Sequence, residues 1–299
     1  NDKELIMGNS LIESGTFIAI LLGQILGTAV AGVPPYIVGG LVLLVAIGGT
    51  MTSLFMPSVA AKIPDTKIEW NIIKGTNSLI REAVADRPVF TSIIGISWFW
   101  FVGSVYTTQL PTFTQIHLGG NDNVFNLMLA LFSIGIAAGS VLCAKLSHER
   151  LLLGLVTVGT TGLTVFGLIL VWLTQGQRFT ELNGITWFLS QGMAYPVMLV
   201  MTLIGFFGGF FSVPLYTWLQ TASSKSFRAH AVAANNIING VFMVSAAILS
   251  AVLLMLFDSI SLLYLIVAIG NIPLIVYLIQ REPRFLNDMG KIFYNIGKR

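Results

Sequence analysis

The stretch AHAVAANNIINGVFMVSAAILSAVLLMLF, residues 229–257, indicates the fold class, because it can cross a bilayer as one helix. A hydrocarbon core of about 30 Å requires about 20 apolar residues of helix. Every backbone polar group must then be bonded within the segment, which a helix achieves. The stretch contains no Asp, Glu, Lys or Arg, yet Asn235, Asn236 and Asn239 occupy its first half. It therefore predicts a membrane span with amides along one stripe.

The composition extends this interpretation to the whole chain. Of its 299 residues 55% are hydrophobic and 10% charged, and the mean hydropathy is +0.83, which excludes an ordinary soluble protein. We predict an all-α membrane protein of about eight spans, a helical bundle. The predicted spans cover residues 9–31, 35–56, 89–113, 123–146, 151–173, 195–220, 230–256 and 260–280.

The basic residues predict how the spans are oriented. Every lysine and arginine except Arg178 falls before the first predicted span, in or at the edge of alternate connections, or after the last span. By the positive-inside rule, both termini are expected to be cytoplasmic. The same alternation supports the span count, because one missed span would scramble it.

The connection at 57–88 divides the chain into unequal parts. It is long, and hydrophobic residues recur in it at helical spacing, which predicts an amphipathic helix on the membrane surface. Residues 89–280 are expected to form a six-helix bundle and 281–299 a cytoplasmic tail. Residues 1–56 then provide only the last two spans of a partner bundle. We expect about four further spans to precede them in an intact transporter, and we expect these residues alone not to transport.

Polar and aromatic residues within the spans are the candidates for a substrate path. A charged side chain costs roughly 2.5 to 3.5 kcal/mol at a helix centre, so Glu13 in the first span is the foremost of them. An interfacial position, a gate contact or a proton-linked carboxyl are its alternative roles. For the amides, hydrogen bonding between helices is the alternative to lining the path. The candidate path residues are Glu13, Gln24, Trp98, Gln109, Asn235, Asn236 and Asn239.

Glycine pairs at a spacing of four predict close helix packing. They are Gly23 with Gly27 and Gly135 with Gly139. Such pairs let backbones approach in lipid.

The sequence offers little for catalysis. His117 and Asp122 match the H-x4-D spacing of acyltransferases, but no strand and helix scaffold surrounds them. No nucleotide-binding loop or metal-ligand spacing is present. We therefore predict no catalytic residue, metal or cofactor, and no nucleic-acid partner.

Four stretches resemble the bacterial lysophospholipid transporters of the major facilitator superfamily. RAHAVAANNIINGVFMVSAAILSAVLL (228–254) resembles their penultimate span, and NSLIESGTFIAILLGQILGT (9–28) their fifth. FFSVPLYTWLQ (210–220) is similar to span ten. GSVLCAKLSHERLLLG (139–154) resembles a degenerate superfamily loop motif, with Gly139, Lys145, Ser147 and Arg150 at the matching places.

This resemblance implies a function. The family moves lysophospholipids, chiefly lysophosphatidylethanolamine, across the bacterial inner membrane for reacylation on the cytoplasmic side. Some members are fused to an acyltransferase and an acyl-carrier-protein synthetase. An exporter of lipophilic drugs or metabolites, and a membrane anchor that delivers lipid to an acyltransferase, are the alternative interpretations.

Overall fold

A computed structural model describes residues 2–30, 32–57, 70–147 and 150–290. Within these ranges the chain forms eleven helices. They are α1 (Asp2–Ala29), α2 (Pro35–Ser53), α3 (Ile72–Ala85), α4 (Arg87–Leu118), α5 (Asp122–Ser147), α6 (Gly154–Leu173), α7 (Ile185–Ser190), α8 (Ala194–Ala222), α9 (Arg228–Phe257), α10 (Ile260–Arg281) and α11 (Arg284–Asn287).

Eight of these helices are long and apolar enough to span a membrane, which confirms the predicted all-α membrane fold and its span count. Several extend beyond the predicted edges: α4, for example, runs from Arg87 to Leu118 rather than from 89 to 113. The difference has a physical reason, because hydropathy detects only the part of a helix that suits hydrocarbon, whereas the backbone hydrogen bonds continue into the interface.

Local sequence signals set the helix ends. The Asp86 carboxylate accepts a hydrogen bond from the Val89 backbone N–H at 3.2 Å and caps α4, whose first turn contains Pro88. Gly119 ends α4 with φ of 61°, a left-handed conformation that suits glycine. Asn71 caps α3 through the Lys74 N–H. The other part of the predicted surface loop, 58–69, lies outside the described residues.

The densest packing lies between α5 and α8. A Cβ built on Gly135 or Gly139 would collide with backbone atoms of α8, and one on Gly205 or Gly209 would collide with backbone atoms of α5. The two backbones therefore touch along two glycine pairs. The predicted pair on α1 differs, because Gly23 and Gly27 have nothing within 4 Å.

Helices α1 and α2 differ in their contacts. Helix α1 packs on α5 and α8, whereas no residue of α2 is buried. The core lies among α4, α5, α6, α8 and α10, and α1 joins it from one side. Any site between the first two spans and the later bundle is therefore formed by α1.

Candidate functional site

A stripe of three residues one turn apart on α1 faces the later bundle. Asn9, Glu13 and Phe17 are all buried, although most of α1 is exposed. Residues four apart lie on one face of a helix, so the stripe follows from the sequence spacing. The middle residue is the ionisable one.

Arg87, Arg228 and Arg281 lie at one end of the bundle, which we call the basic end. At this end, Asn9 forms an amide clamp with α8. Its Nδ2 donates to Gln220 Oε1 at 3.2 Å, and Gln220 Nε2 donates back to Asn9 Oδ1 at 3.1 Å. Asn9 Nδ2 also lies 3.1 Å from Thr217 Oγ1. Reciprocal amide bonds fix both side chains. The clamp, Asn9 with Thr217 and Gln220, closes the gap between α1 and α8 at this end.

Glu13 lies one turn deeper, about 6 Å further along the axis. Its side chain is beside Ser212 of α8 and is only 4% exposed. Within the described residues, neither Glu13 Oε1 nor Ser212 Oγ has a hydrogen-bond partner. A buried carboxyl is costly unless a polar or charged group compensates it, so this position has unused capacity to accept a proton, a hydrogen bond or a cation.

Tyr216 connects Glu13 to the asparagines. Trp100 Nε1 donates to its hydroxyl at 2.7 Å, and the same phenol lies near Glu13, Asn235 and Asn239. Four helices, α1, α4, α8 and α9, thus contribute to one polar cluster. We define the polar cluster as Glu13, Ser97, Trp100, Ser212, Tyr216, Asn235 and Asn239.

The two buried asparagines of the cluster differ in their bonding. Asn239 Oδ1 accepts a hydrogen bond from Ser97 Oγ at 2.8 Å. Asn235 is 1% exposed, and among the described residues neither atom of its amide has a partner. A buried amide without a well-formed hydrogen bond is rare in native proteins, so the Asn235 amide, beside the Tyr216 hydroxyl, has capacity to bind a polar group.

Aromatic rings close the far side of the cluster. Phe17 packs edge to face against Phe99 of α4 and Phe132 of α5, each with ring centroids 6.1 Å apart. Glu13 is therefore enclosed between the amide clamp and an apolar layer. The arrangement combines polar groups with aromatic surface over a few turns, which suits an amphiphilic ligand better than a strongly charged one.

The opposite end of α1 is more open. Asn126 Nδ2 of α5 donates to Thr28 Oγ1 at 3.0 Å, and beside this contact lies a hollow of about 490 Å³. The two ends of α1 therefore differ, with a clamp at one and a cavity at the other.

Other predicted path residues lie outside the polar cluster. Asn236 is exposed on α9, next to the buried Asn235, and Gln24 is exposed on α1. Gln109 is half-buried on α4. Trp98 faces α10, where its Nε1 donates to Asn271 Oδ1 at 2.8 Å, and its ring stacks on Phe101 with centroids 5.0 Å apart.

The residues of the predicted loop motif are near the α5–α6 connection. Gly139 is inside α5 and packs against α8, while Lys145 and Arg150 are exposed. Ser147 Oγ donates to the Cys143 carbonyl at 2.8 Å. These contacts are structural, and the gating role of the motif stays a prediction.

The histidine that matched an acyltransferase spacing has a structural contact. His117 Nδ1 is 2.8 Å from the Gln177 carbonyl, at the end of the bundle opposite the clamp. Across the described ranges, no group of three or more His, Cys, Asp and Glu residues could hold a metal ion.

Sequence reasoning missed several members of the site. Asn9, Ser97, Ser212 and Tyr216 were not among the predicted path residues. Part of this set has a signal in the sequence FFSVPLYTWLQ. Ser212, Tyr216 and Gln220 recur there every four residues, which indicates a polar stripe on a largely apolar helix.

Long apolar helices that gather buried polar groups between α1 and the helices of the later bundle are typical of a membrane protein of the transporter class. The comparisons with known proteins agree with this class. The chain belongs to the Major Facilitator Superfamily, whose family model matches residues 1–202.

Two curated relatives are similar to the chain over most of its length. The lysophospholipid transporter LplT of Escherichia fergusonii is 29% identical over 239 residues, which is 78% of this chain and 55% of the relative. LplT of Escherichia coli strain K12 is 29% identical over 240 residues, 79% of this chain and 55% of the relative. The chain thus spans about half the length of these relatives.

Proposed function

We propose that the protein moves lysophospholipids across the bacterial inner membrane, with the polar cluster as part of the path. One observation carries the proposal: the buried amide of Asn235 and the buried carboxyl of Glu13 both have unpaired atoms and flank the same phenol. The names of the two relatives support the substrate class.

The chemistry of the cluster suits such a lipid. A lysophospholipid has a polar head and a single acyl chain, so its path must offer polar partners beside apolar surface. The cluster provides amides, hydroxyls and one carboxyl. The aromatic rings of Phe17, Phe99 and Phe132 pack together next to it and provide the apolar surface. Lysophosphatidylethanolamine fits best, because its ammonium group can pair with the Glu13 carboxylate.

The proposed direction is toward the cytoplasm, where the lysolipid is reacylated. An acyltransferase, fused or separate, would consume the product. This chain itself would have no catalytic role.

The test is uptake of labelled lysophosphatidylethanolamine by spheroplasts that lack their own lysophospholipid transporter and express the intact gene. Glu13→Gln and Asn235→Ala should each lower uptake about tenfold at unchanged protein level, since each removes a polar partner of the substrate from a buried site. Asn236→Ala is the matched control, because this neighbouring amide is exposed. Its uptake should equal that of the unmodified protein.

Three outcomes would contradict the proposal. Uptake no higher than with an empty vector would exclude this substrate, and stronger inhibition by lipophilic drugs than by unlabelled lysophospholipid would favour an exporter of lipophilic compounds. Equal loss of uptake in all three variants would show that the cluster is not specific.

A further inference from the structure

An apolar groove runs along the side of the later bundle, away from the polar cluster. It lies between α4, α9 and α10 and has a volume of about 450 Å³. One wall is a stripe on α4, Phe90, Ile94 and Trp98, and the facing wall includes Gly270, Leu274 and Tyr277 of α10. None of the residues that line it is charged.

The walls of the groove are fixed before any ligand enters. The hydrogen bond from Trp98 Nε1 to Asn271 Oδ1 holds the indole in place. A Cβ at Gly270 would lie 2.9 Å from the same ring, so the absence of a side chain lets the indole lie against α10. The groove is therefore preformed, which lowers the entropic cost of binding.

The length of the groove matches one leaflet. From Phe90 to Trp98 the helix rises about 12 Å. Half of a hydrocarbon core of about 30 Å is about 15 Å. A single acyl chain of a lipid in one leaflet can follow the whole groove.

Both walls end on arginines at the same end of the bundle. Arg87 precedes Phe90 by one turn on α4, and Arg281 follows Tyr277 by one turn on α10. The Arg281 guanidinium lies 5.2 Å from the centre of the Tyr277 ring. Arg87 Nη2 is 3.5 Å from the Gln280 carbonyl, a weak contact that places it beside α10.

The nearby carboxylates are already engaged. Glu282 forms a salt bridge with Arg284 at 3.1 Å, and the hydrogen bond from Arg284 lowers the pKa of Glu282. The Asp86 carboxylate caps α4. Among the described residues, neither Arg87 nor Arg281 forms a salt bridge, although the charge of Glu282 also acts on Arg87. Arg281 is therefore available to an anion, and Arg87 can add its charge from the other wall.

We propose that this groove is a binding site for one anionic diacyl phospholipid of the surrounding bilayer. One acyl chain lies along the α4 and α10 walls, and the phosphate lies between Arg87 and Arg281. The second chain stays in the bilayer. An anionic head is favoured over a zwitterionic one, whose own ammonium would meet the two guanidinium groups. The site is independent of the proposed transport path.

Native mass spectrometry of the purified intact gene product tests this site. Dioleoyl phosphatidylglycerol and dioleoyl phosphatidylcholine are added separately at equal concentration in detergent. We expect one phosphatidylglycerol to be retained preferentially. Arg87→Gln and Arg281→Gln should each weaken that retention about fivefold, because a basic residue near a lipid head contributes about that factor. The matched control combines Arg150→Gln with Lys225→Gln, because both residues are exposed cations at the same basic end. This pair should leave the retention of phosphatidylglycerol unchanged.

A groove variant separates the chain site from simple charge attraction. Ile94→Trp fills the groove and leaves both arginines in place, so it should also abolish preferential retention while the thermal unfolding midpoint in detergent stays within a few degrees. Three results would each overturn the proposal. They are equal retention of the two lipids, retention that Ile94→Trp does not change, and an equal loss of retention in the control pair. Displacement of phosphatidylglycerol by lysophosphatidylethanolamine would likewise overturn it, because the groove would then belong to the substrate.

Discussion

At the scale of single residues, the position of Tyr216 explains how distant parts of the sequence act together. Its hydroxyl accepts the Trp100 N–H and lies near the Glu13 carboxyl and the two buried asparagines. Neither Glu13 nor Asn235 has another described contact that would link α1 to α9. The phenol oxygen thus lies beside polar groups of both α1 and α9, in addition to the contacts that Asn9 and Phe17 make with the later bundle.

Tyr216→Phe removes this oxygen with little change in shape. We expect it to destabilise the protein by about 0.6 to 2 kcal/mol, because the Trp100 N–H loses its acceptor inside the membrane. Uptake of lysophosphatidylethanolamine should also fall, since Glu13 and the asparagines lose their common partner. Unfolding in a denaturing detergent measures the first effect and the spheroplast assay the second.

Tyr195→Phe is the matched control for Tyr216→Phe. Tyr195 lies on the same helix but is 65% exposed. Tyr195→Phe should therefore change the free energy of unfolding by no more than about 0.5 kcal/mol. If both variants behaved alike, the hydroxyl of Tyr216 would have no special role.

At the scale of helices, the α5–α8 contact depends on glycine. The Cβ of an alanine at Gly139 would overlap the carbonyl oxygen of Phe206, so the two backbones must separate. We expect Gly139→Ala to lower the free energy of unfolding by about 1 to 3 kcal/mol. The thermal unfolding midpoint of the intact gene product in detergent measures this.

Gly23→Ala and Gly27→Ala on α1 are the controls for Gly139→Ala. Nothing lies within 4 Å of either glycine, and alanine is the better helix former, so both variants should be neutral or slightly stabilising. A loss of stability as large as that of Gly139→Ala would mean that helix packing does not explain the effect.

The helices show how far sequence reasoning extends. The eight spans were predictable because apolar length is a local property of the chain, and a buried helix cannot leave its backbone unpaired. The stripe with Asn235 and Asn239 was predictable from helical spacing. The burial of Asn235 beside the exposed Asn236 was not, because it depends on which helix packs against α9. Gly27 and Gly139 likewise belong to glycine pairs of the same spacing, yet only Gly139 lies against the backbone of another helix.

At the scale of the whole molecule, we propose a motion from the contacts that α1 makes at its two ends. The clamp of Asn9, Thr217 and Gln220 holds α1 to α8 at the basic end, whereas a hollow lies between α1 and α5 at the other end. In transporters, access alternates when one bundle rocks against the other around a central site. Under the proposed function, we expect the clamp to be a gate that opens once per transport cycle, with the polar cluster one turn above it.

Tethering the gate tests this motion in the intact gene product. Cys143, the single cysteine of this sequence, is replaced by alanine, and Asn9→Cys with Gln220→Cys are joined by a short bifunctional thiol reagent whose length matches two amide side chains. Uptake of lysophosphatidylethanolamine should fall to background, because α1 can no longer leave α8, and cleavage of the reagent should restore it. Ile12→Cys with Thr16→Cys, joined within α1 alone, should leave uptake intact. Full uptake by the tethered protein would show that α1 and α8 stay together throughout transport and that the clamp is a fixed joint.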